Sequence, residues 1–423
     1  MTPERRARTP RSRAARATTA PRDAFGCYAV CALGLEGLLA SELRNAGIEP
    51  RAEDEEPGGV AFDASLRTLY DANLQLRTAS RLLVRLGAFH VRALGELERR
   101  ARELPWERYI APGRSVRVRV TSRKSRLYHT GAIAERVAAA IAARSGGVAD
   151  SEGAGTGSAG SGAGSDTNAG RIATADDDAS DGESQLVVVR VFHDRCTISI
   201  DSSGALLHRR GYRLATAKAP LRETLAAALL LSSEWDASSP LLDPMCGSGT
   251  IVVEAALMAR RIAPGLRRGF AFQAWPEFES GIWESVLADA HARVLPSAPG
   301  RIQGSDRDAG AVAAAIANAE RAGVAGDVEI THRALSAIEP PAEVGWVVTN
   351  PPYGARVGSP ARLGNLYAQF GKVLQARCPG WRVMMLSADR RLETRLGIPL
   401  STALETRNGG IAVRAKLGVV DRL

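Results

Sequence analysis

The stretch that decides the fold reads LLDPMCGSGTIVVEAALMAR, over residues 241–260. Its opening, two leucines and an acid, predicts a short buried strand, and residues 251–260 have the composition of a helix. Between them, Gly247 and Gly249 permit backbone geometry that a Cβ would obstruct. Strand, glycine turn and helix in this order predict an open, mostly parallel α/β sheet, whose helix presents free N–H groups to a ligand.

The glycine turn also limits which ligand fits. Only two glycines are present, so the GxGxxG fingerprint of dinucleotide-binding turns is missing. S-adenosylmethionine (SAM) needs only room beside the turn for its methionine half, and Asp243 is placed to receive its ammonium group. Taken alone, the segment is also compatible with an ordinary glycine turn.

A second acid follows a second predicted strand. Residues 301–306 read RIQGSD and end in Asp306, before an alanine-rich helix over residues 309–322. A carboxylate at the tip of the second strand is the usual partner of ribose hydroxyls, because it accepts both hydrogen bonds. We expect Asp306 to hold the ribose. Asp308 is the second choice, since it better suits the helix N-cap, a role also open to Asp306.

A third predicted strand, residues 345–349 (GWVVT), ends in Asn350, Pro351, Pro352 and Tyr353. Ligands of open α/β sheets gather at this edge, and consecutive prolines stiffen the loop and remove two N–H donors. An exocyclic amine has two N–H groups, which the Asn350 side-chain oxygen and the Pro351 carbonyl are able to accept. Tyr353 supplies a π face. A strand-to-turn stop is the alternative, but with the glycine turn the motif indicates methyl transfer from SAM to a base nitrogen.

These motifs, with IAPGL at residues 262–266 and LHRRGYR at residues 207–213, resemble the THUMP-containing RNA guanine-N2 methyltransferases. The resemblance is closest to the bacterial enzyme, or enzyme half, that methylates a guanine of large-subunit ribosomal RNA. It covers nearly everything from Phe25 to the end. It implies an α/β chain in which a class I, Rossmann-like SAM methyltransferase sheet follows amino-terminal α+β ferredoxin-like and THUMP modules.

The resemblance also implies roles for the motif residues. The methionine part of SAM would be surrounded by Asp243, Cys246, Gly247 and Gly249. Asp306 would hold the ribose, and residues 350–353 would handle the guanine amine as catalytic residues. One departure concerns the adenine contact: relatives often carry an Asp where this chain reads HRAL over residues 332–335.

The resemblance and the composition together predict the domain organisation. We expect a disordered basic tail over residues 1–24 and a ferredoxin-like module over residues 25–75. A THUMP domain over residues 76–203, with a disordered Gly/Ala/Ser-rich insertion at residues 145–184, precedes the methyltransferase domain at residues 204–423. The insertion is too polar to bury a core.

RNA is the expected partner, because the net charge is +9 and the arginines are unevenly distributed. Residues 114–120 alternate arginine and valine, which predicts a half-buried strand with a cationic face. We expect Arg117, Arg119, Arg123 and Lys124 to contact RNA phosphates. A generic solvated strand face is the alternative. The basic stretch at residues 208–213 is interpreted as a phosphate-binding linker rather than as the source of a catalytic base, His208.

Other classes of protein fit less well. No apolar run reaches the length of a membrane span and no signal peptide opens the chain, so we expect a cytoplasmic protein. Five scattered cysteines predict reduced core residues, and no metal is expected. Ribosomal (23S) RNA is favoured over transfer RNA as substrate. DNA adenine-N6 and protein glutamine methylation are alternatives, because both substrates present a planar nitrogen. The amino-terminal RNA-binding pattern argues against both. A monomer is favoured.

Overall fold

Two seven-stranded sheets organise the molecule. The structure is a computed structural model and describes residues 24–51, 57–146, 148–149, 184–213, 221–353 and 360–421. The helices are α1 (Glu36–Asn45), α2 (Leu66–Gln75), α3 (Leu94–Arg102), α4 (Thr130–Ser145), α5 (Glu223–Ser232), α6 (Thr250–Ala259), α7 (Ser280–Ala292), α8 (Ala309–Ala322), α9 (Pro360–Arg377) and α10 (Arg390–Arg395).

The strands of the first sheet are β1 (Phe25–Val30), β2 (Gly59–Ala64), β3 (Arg81–His90), β4 (Ser115–Arg123), β5 (Val148–Ala149), β6 (Gln185–Phe192) and β7 (Arg195–Asp201). Their order is β2-β1-β3-β7-β6-β4-β5. Strand β3 pairs antiparallel with β1 on one side and with β7 on the other, so one continuous sheet runs through both predicted amino-terminal modules. Strands β4 and β6 are parallel.

Alternating side chains give the first sheet two different faces. Val187, Val189 and Val191 of β6 are buried in a core shared with the helices, whereas Arg190 and Phe192 point to the opposite face. On β4, residues 121–123 also belong to the strand, beyond the alternating stretch at residues 114–120 that predicts it. The β4 arginines therefore extend along the whole strand.

The strands of the second sheet are β8 (Leu241–Asp243), β9 (Ile302–Asp306), β10 (Val328–His332), β11 (Trp346–Thr349), β12 (Arg382–Ser387), β13 (Leu400–Asn408) and β14 (Ile411–Val419). Their order is β10-β9-β8-β11-β12-β14-β13; the first five are parallel and the last two form an antiparallel hairpin. This confirms the predicted mostly parallel methyltransferase sheet. Its parallel strands place the ends of β8, β9 and β11 at one edge.

Aromatic side chains and hydrogen bonds join the two sheets. The rings of Tyr70 and Phe272 stack with centroids 4.3 Å apart, and the Trp275 Nε1–H donates to Gln185 Oε1 of β6 at 2.9 Å. Trp275, Trp283 and Tyr367 are buried and pack inside the fold. All five cysteines are buried free thiols, as predicted.

Two arginines of the stretch predicted as a phosphate-binding linker, Arg210 and Arg213, point into the protein instead. Arg210 is 3% exposed, and its Nε lies 3.7 Å from Oε1 of buried Glu254 in α6, to which the Tyr212 hydroxyl also donates at 3.1 Å. Arg213 pairs with Glu223 of α5 at 2.9 Å. The prediction is wrong for these two arginines, because the fold turns them toward its own acids and not toward solvent.

The predicted tail and most of the predicted insertion lie outside the described residues. The beginning of the insertion does not: Ser145 closes α4, and β5, at residues 148–149, pairs with the first residues of β4. Within the described ranges, no helix is both long and apolar enough to cross a membrane.

Candidate active site

The glycine turn between β8 and α6 needs glycine at both positions. Gly247 and Gly249 have φ angles of 53° and 81°, in the left-handed region that favours glycine. A Cβ on Gly249 would lie 2.9 Å from the Ala315 Cβ of α8, whereas a Cβ on Gly247 would meet open space. Gly249 therefore permits close packing of two helices, and Gly247 leaves room at the sheet edge.

Asp243, at the end of β8, is a buried acid held by neutral donors. It is 1% exposed, and its Oδ1 accepts hydrogen bonds from the Thr349 hydroxyl at 2.6 Å and the Met245 N–H at 3.2 Å. Burial raises the pKa of Asp243 to about 7, opposed by these two bonds and assisted by the negative charge of Asp306. Both bonds end on Oδ1, which leaves Oδ2 for a cation supplied by a ligand.

Asp306 ties the turn to the second strand. Its Oδ2 accepts from the Gly247 N–H at 2.9 Å and its Oδ1 accepts from the Asp308 N–H at 3.0 Å. Asp308 Oδ1 accepts from the Ala311 N–H at 2.8 Å and caps α8, so Asp308 has the helix N-cap role that the sequence also suggested for it. Each carboxylate oxygen of Asp306 keeps acceptor capacity, as contact with a pair of hydroxyls requires.

Cys246 lies under the turn. Its N–H donates to the Ser305 carbonyl at 3.0 Å, and a Cβ on Gly304 would approach the Cys246 Sγ to 3.2 Å. Burial raises the pKa of the Cys246 thiol well above its usual range, so the thiol stays protonated. Cys246 can line a cofactor pocket and is not an activated nucleophile.

Asn350 carries a buried oxygen without a hydrogen-bond partner. It follows β11, which pairs in parallel with β8 through Trp346 and Val347, and the preceding residue Thr349 donates to Asp243. The Asn350 Oδ1 is inaccessible to solvent and accepts no hydrogen bond from any residue that the structure describes. Such an orphaned acceptor costs about 1–3 kcal/mol, which a bound donor would recover. The Asn350 Oδ1 can therefore accept a hydrogen bond from a ligand N–H.

Tyr353 is held by Asn408, a residue that sequence reasoning did not select. Its hydroxyl accepts from the Asn408 Nδ2–H at 2.8 Å, and burial raises its pKa, opposed by this bond. Asn408 is the last residue of β13, in the hairpin at the far edge of the sheet. The bond fixes the ring beside the Asn350 loop, whose Pro351 is buried.

The predicted RNA-binding residues lie on the other sheet. Arg117, Arg119 and Arg123 share one face of β4, opposite Leu186, Val188 and Phe192 of β6 in the register. Lys124 follows them, exposed and with a φ of 49°. The structure thus gathers the predicted cofactor and catalytic residues at one edge and keeps the cationic face separate.

The region that departs from relatives, residues 332–335, lies beside Asp306. The Arg333 N–H donates to the Asp306 carbonyl at 2.9 Å, and its guanidinium pairs with Glu339 at 2.8 Å. The exposed His332 ring has its Nε2 2.9 Å from the Arg307 carbonyl oxygen. Both side chains are engaged within the loop, which leaves backbone groups as the candidates for an adenine contact.

SAM fits the donor set of this edge. Asp243 offers a buried carboxylate oxygen to an ammonium group, Gly247 offers open space, and Asp306 offers acceptors to ribose hydroxyls. In the described part of the chain, no group of three or more His, Cys, Asp or Glu side chains is arranged to hold a metal ion.

Three family models match the chain. They are an RlmL ferredoxin-like domain at residues 26–83, a THUMP domain at residues 91–151, and an RMKL-like methyltransferase domain at residues 210–416. A protein of Synechocystis sp. assigned as an RNA methyltransferase is 33% identical over 387 residues, covering 91% of this chain and 94% of the relative.

Further relatives extend the match. The ribosomal RNA large subunit methyltransferase K/L of Allochromatium vinosum is 34% identical over 389 residues, covering 90% of this chain. The chain spans 50% of the length of that relative. The crystal structure of SMU.472, assigned as a methyltransferase and complexed with S-adenosylhomocysteine, superimposes with a TM-score of 0.78 at 26% identity, over 95% of this chain and 100% of that one. The chain belongs to the RMKL-like family of SAM-dependent methyltransferases with amino-terminal ferredoxin-like and THUMP domains.

Proposed function

We propose that this chain methylates the exocyclic N2 of a guanine in large-subunit (23S) ribosomal RNA. The observation that carries the proposal is the buried, unpartnered Asn350 Oδ1 at the carboxyl end of β11, next to the residue that holds Asp243. An acceptor in this position matches an amine N–H. The Pro351 carbonyl supplies a second acceptor, and Tyr353 supplies the ring face.

SAM, when bound, supplies an electrophilic methyl group. The residues of this chain contribute position: Asp243 would hold the ammonium end and Asp306 the ribose, and Asn350 and Pro351 would orient the amine so that its lone pair points away from them. The methylated amine can lose its proton to solvent water after attack, so no general base is required. Burial, followed by the charges of nearby arginines, lowers the pKa of His208 to about 3, which keeps that side chain neutral.

The ribosomal substrate rests on the relatives and on the first sheet. K/L enzymes are named for large-subunit ribosomal RNA, and β4 carries its arginines on the face opposite the helices, where Arg117, Arg119, Arg123 and Lys124 would bind phosphates. The target guanine must leave its stack, which costs a few kcal/mol and favours loops or assembly intermediates. We propose that the enzyme works in the cytoplasm as a monomer.

Other acceptors share the planar nitrogen. A transfer RNA guanine is the nearest alternative, followed by DNA adenine N6 and a protein glutamine amide. The THUMP match at residues 91–151 favours RNA over the last two. Mapping methylated guanines in RNA from cells with and without the gene separates ribosomal from transfer RNA.

Substitution of Asn350 tests the chemistry. We expect Asn350→Ala to fold, bind SAM and bind RNA, and to lose roughly 10²-fold or more of the methyl-transfer rate, as removal of a positioned contact does. Single-turnover transfer with saturating RNA measures this step. Asn45→Ala, an exposed asparagine at the end of α1, is the matched control.

Asn350→Asp keeps the shape and the acceptors and adds a negative charge. We expect it to retain more of the rate than Asn350→Ala. A near-normal rate in Asn350→Ala would contradict the amine-positioning role. A lower melting temperature with an unchanged rate would assign Asn350 to the stability of the turn instead.

A further inference from the structure

Two exposed aromatic side chains lie at one end of the first sheet. Tyr128 is 68% exposed, and Phe192, the last residue of β6, is 43% exposed. Side chains of this size are normally buried, and a pair of them at one end of a sheet is typical of a binding surface. They contribute nothing to the core described above.

Hydrogen bonds tie the two segments that carry these rings. The Arg126 N–H donates to Asp194 Oδ1 at 2.8 Å, and the Asp194 N–H donates to the Ser125 hydroxyl at 3.1 Å. The His193 N–H donates to the Arg123 carbonyl at 3.4 Å. The loop after β4 and the turn after β6 therefore form one braced unit.

The backbone of this unit is constrained. Lys124, His193 and Asp194 have φ angles of 49°, 49° and 61°, in a region that residues other than glycine seldom adopt. His193 and Asp194 are the two-residue turn of the hairpin whose paired ends are Phe192 and Arg195, and positive φ at both central residues is the form that suits twisted antiparallel strands. The rings are thus presented on a fixed support.

Cations surround the rings. Lys124 and Arg126 are exposed in the loop, and the Arg190 guanidinium lies 5.9 Å from the centre of the Phe192 ring. The acid of the turn, Asp194, is paired with Arg92 at 3.3 Å, which offsets its charge. Exposed π faces beside positive charge match a ligand with flat rings on an anionic chain.

We propose that the aromatic edge, defined as Lys124, Arg126, Tyr128, Phe192 and His193, binds unpaired RNA by stacking its bases. Paired bases hide their faces inside a duplex, so only unpaired nucleotides can use Tyr128 and Phe192, while the cations hold the adjoining phosphates. The inference rests on RNA as the substrate. It adds a preference for a single-stranded segment next to the methylated guanine.

Binding of two RNA probes tests this proposal with the full chain. We expect Tyr128→Ala with Phe192→Ala to weaken binding of a short unpaired oligoadenylate roughly 5- to 100-fold, because each base loses its stacking partner. Binding of a blunt RNA duplex of equal length should be unchanged. Tyr128→Trp, with Phe192 intact, should retain single-strand binding, because it keeps an aromatic ring at this position. The control is Ile316→Ala, which changes an exposed apolar residue of α8.

The salt dependence separates stacking from charge. The aromatic double variant should keep the slope of log affinity against log salt, whereas Lys124→Gln with Arg126→Gln should flatten it. Equal affinity of the double variant and the unaltered chain for the oligoadenylate overturns the proposal, as does an equal loss for single strand and duplex. Methyl transfer to ribosomal RNA that continues in either case leaves the proposed function intact.

Discussion

Two buried acids in the same strand-turn-helix unit have opposite surroundings. Glu254, in α6, is 0% exposed and faces the Tyr212 hydroxyl, with Arg77 at 3.9 Å and Arg210 at 3.7 Å. Asp243, at the end of β8, is equally buried but has only a hydroxyl and an N–H as partners. The fold supplies cations to the first acid and leaves the second without one.

This difference separates a structural charge from a functional one. An acid whose cations come from the protein is already stabilised, whereas an acid held by neutral donors keeps a raised pKa and gains from a cationic ligand. The same distinction applies to arginines. Arg210 is enclosed with Glu254, whereas Arg117, Arg119 and Arg123 share one face of β4 and are only half-buried.

The largest expected effect follows from removing the structural acid. Glu254→Ala leaves Arg77 and Arg210 buried without their counter-charge, and we expect the free energy of unfolding to fall by about 3–5 kcal/mol. Urea denaturation monitored by circular dichroism measures it. Glu284→Ala, an exposed acid of α7, should change stability by less than about 0.5 kcal/mol. A loss below about 1 kcal/mol in Glu254→Ala would show that the network does not depend on its acid.

Neutralising the β4 arginines should reduce binding rather than stability. With Arg117, Arg119, Arg123 and Lys124 changed to Gln, we expect RNA affinity to fall roughly 10- to 100-fold near 0.1 M salt, with a shallower salt slope and unchanged SAM affinity. Fluorescence anisotropy of labelled RNA measures the RNA affinity and its salt slope. A control removes the same number of charges from the helical side of the module, at Arg99, Arg100, Arg102 and Arg136. An unchanged salt slope would identify the β4 patch as a solvated face.

The ribose contact should have an intermediate effect. Asp306→Ala removes a charged acceptor and its bond to the Gly247 N–H, so we expect SAM binding to weaken by roughly 1–3 kcal/mol while RNA affinity stays the same. Isothermal titration calorimetry measures the loss. Asp308→Ala serves as the comparison, because it removes only a helix cap and should lower stability by about 1 kcal/mol. Unchanged SAM affinity in Asp306→Ala would transfer the ribose contact to another residue.

The smallest expected effect is a pH dependence of SAM binding. With a pKa of about 7, Asp243 is half ionised at neutral pH, and the ammonium group binds its ionised form. Lowering the pH from about 7 to about 6 should therefore weaken SAM binding about fivefold, since the ligand amine remains protonated throughout this interval. Calorimetry at both pH values tests this. Asp243→Asn should bind weakly and show no such dependence; a slope that survives in this variant belongs to another group.

The sequence predicted which candidate residues lie together where their positions are set by strand ends. Parallel strands bring their carboxyl ends to one edge, so Asp243, Asp306 and Asn350 could be placed together from their position after apolar runs alone. The two glycines could be recognised because only glycine adopts their backbone angles without cost. The helix over residues 309–322 was predicted to the residue.

Contacts between distant segments could not be predicted in this way. The bond from Thr349 to Asp243 spans 106 positions and the bond from Asn408 to Tyr353 spans 55, and both depend on strand order and register. The prediction that Arg210 binds phosphate was wrong for the same reason. Its partner Glu254 lies among apolar residues of a helix 44 positions later in the sequence, and only the packing of α6 brings the two charges together.

Strand β3 limits where the gene for this chain can be divided or recombined. Because β3 pairs with β1 on one side and β7 on the other, a break after residue 75 would leave β1 and β3 each with an unpaired edge, and such edges associate with other chains. The ferredoxin-like and THUMP modules are therefore expected to be lost, duplicated or exchanged between genes as one piece. A hybrid protein should join its parents beyond β7, where no strand pairing links the two sheets.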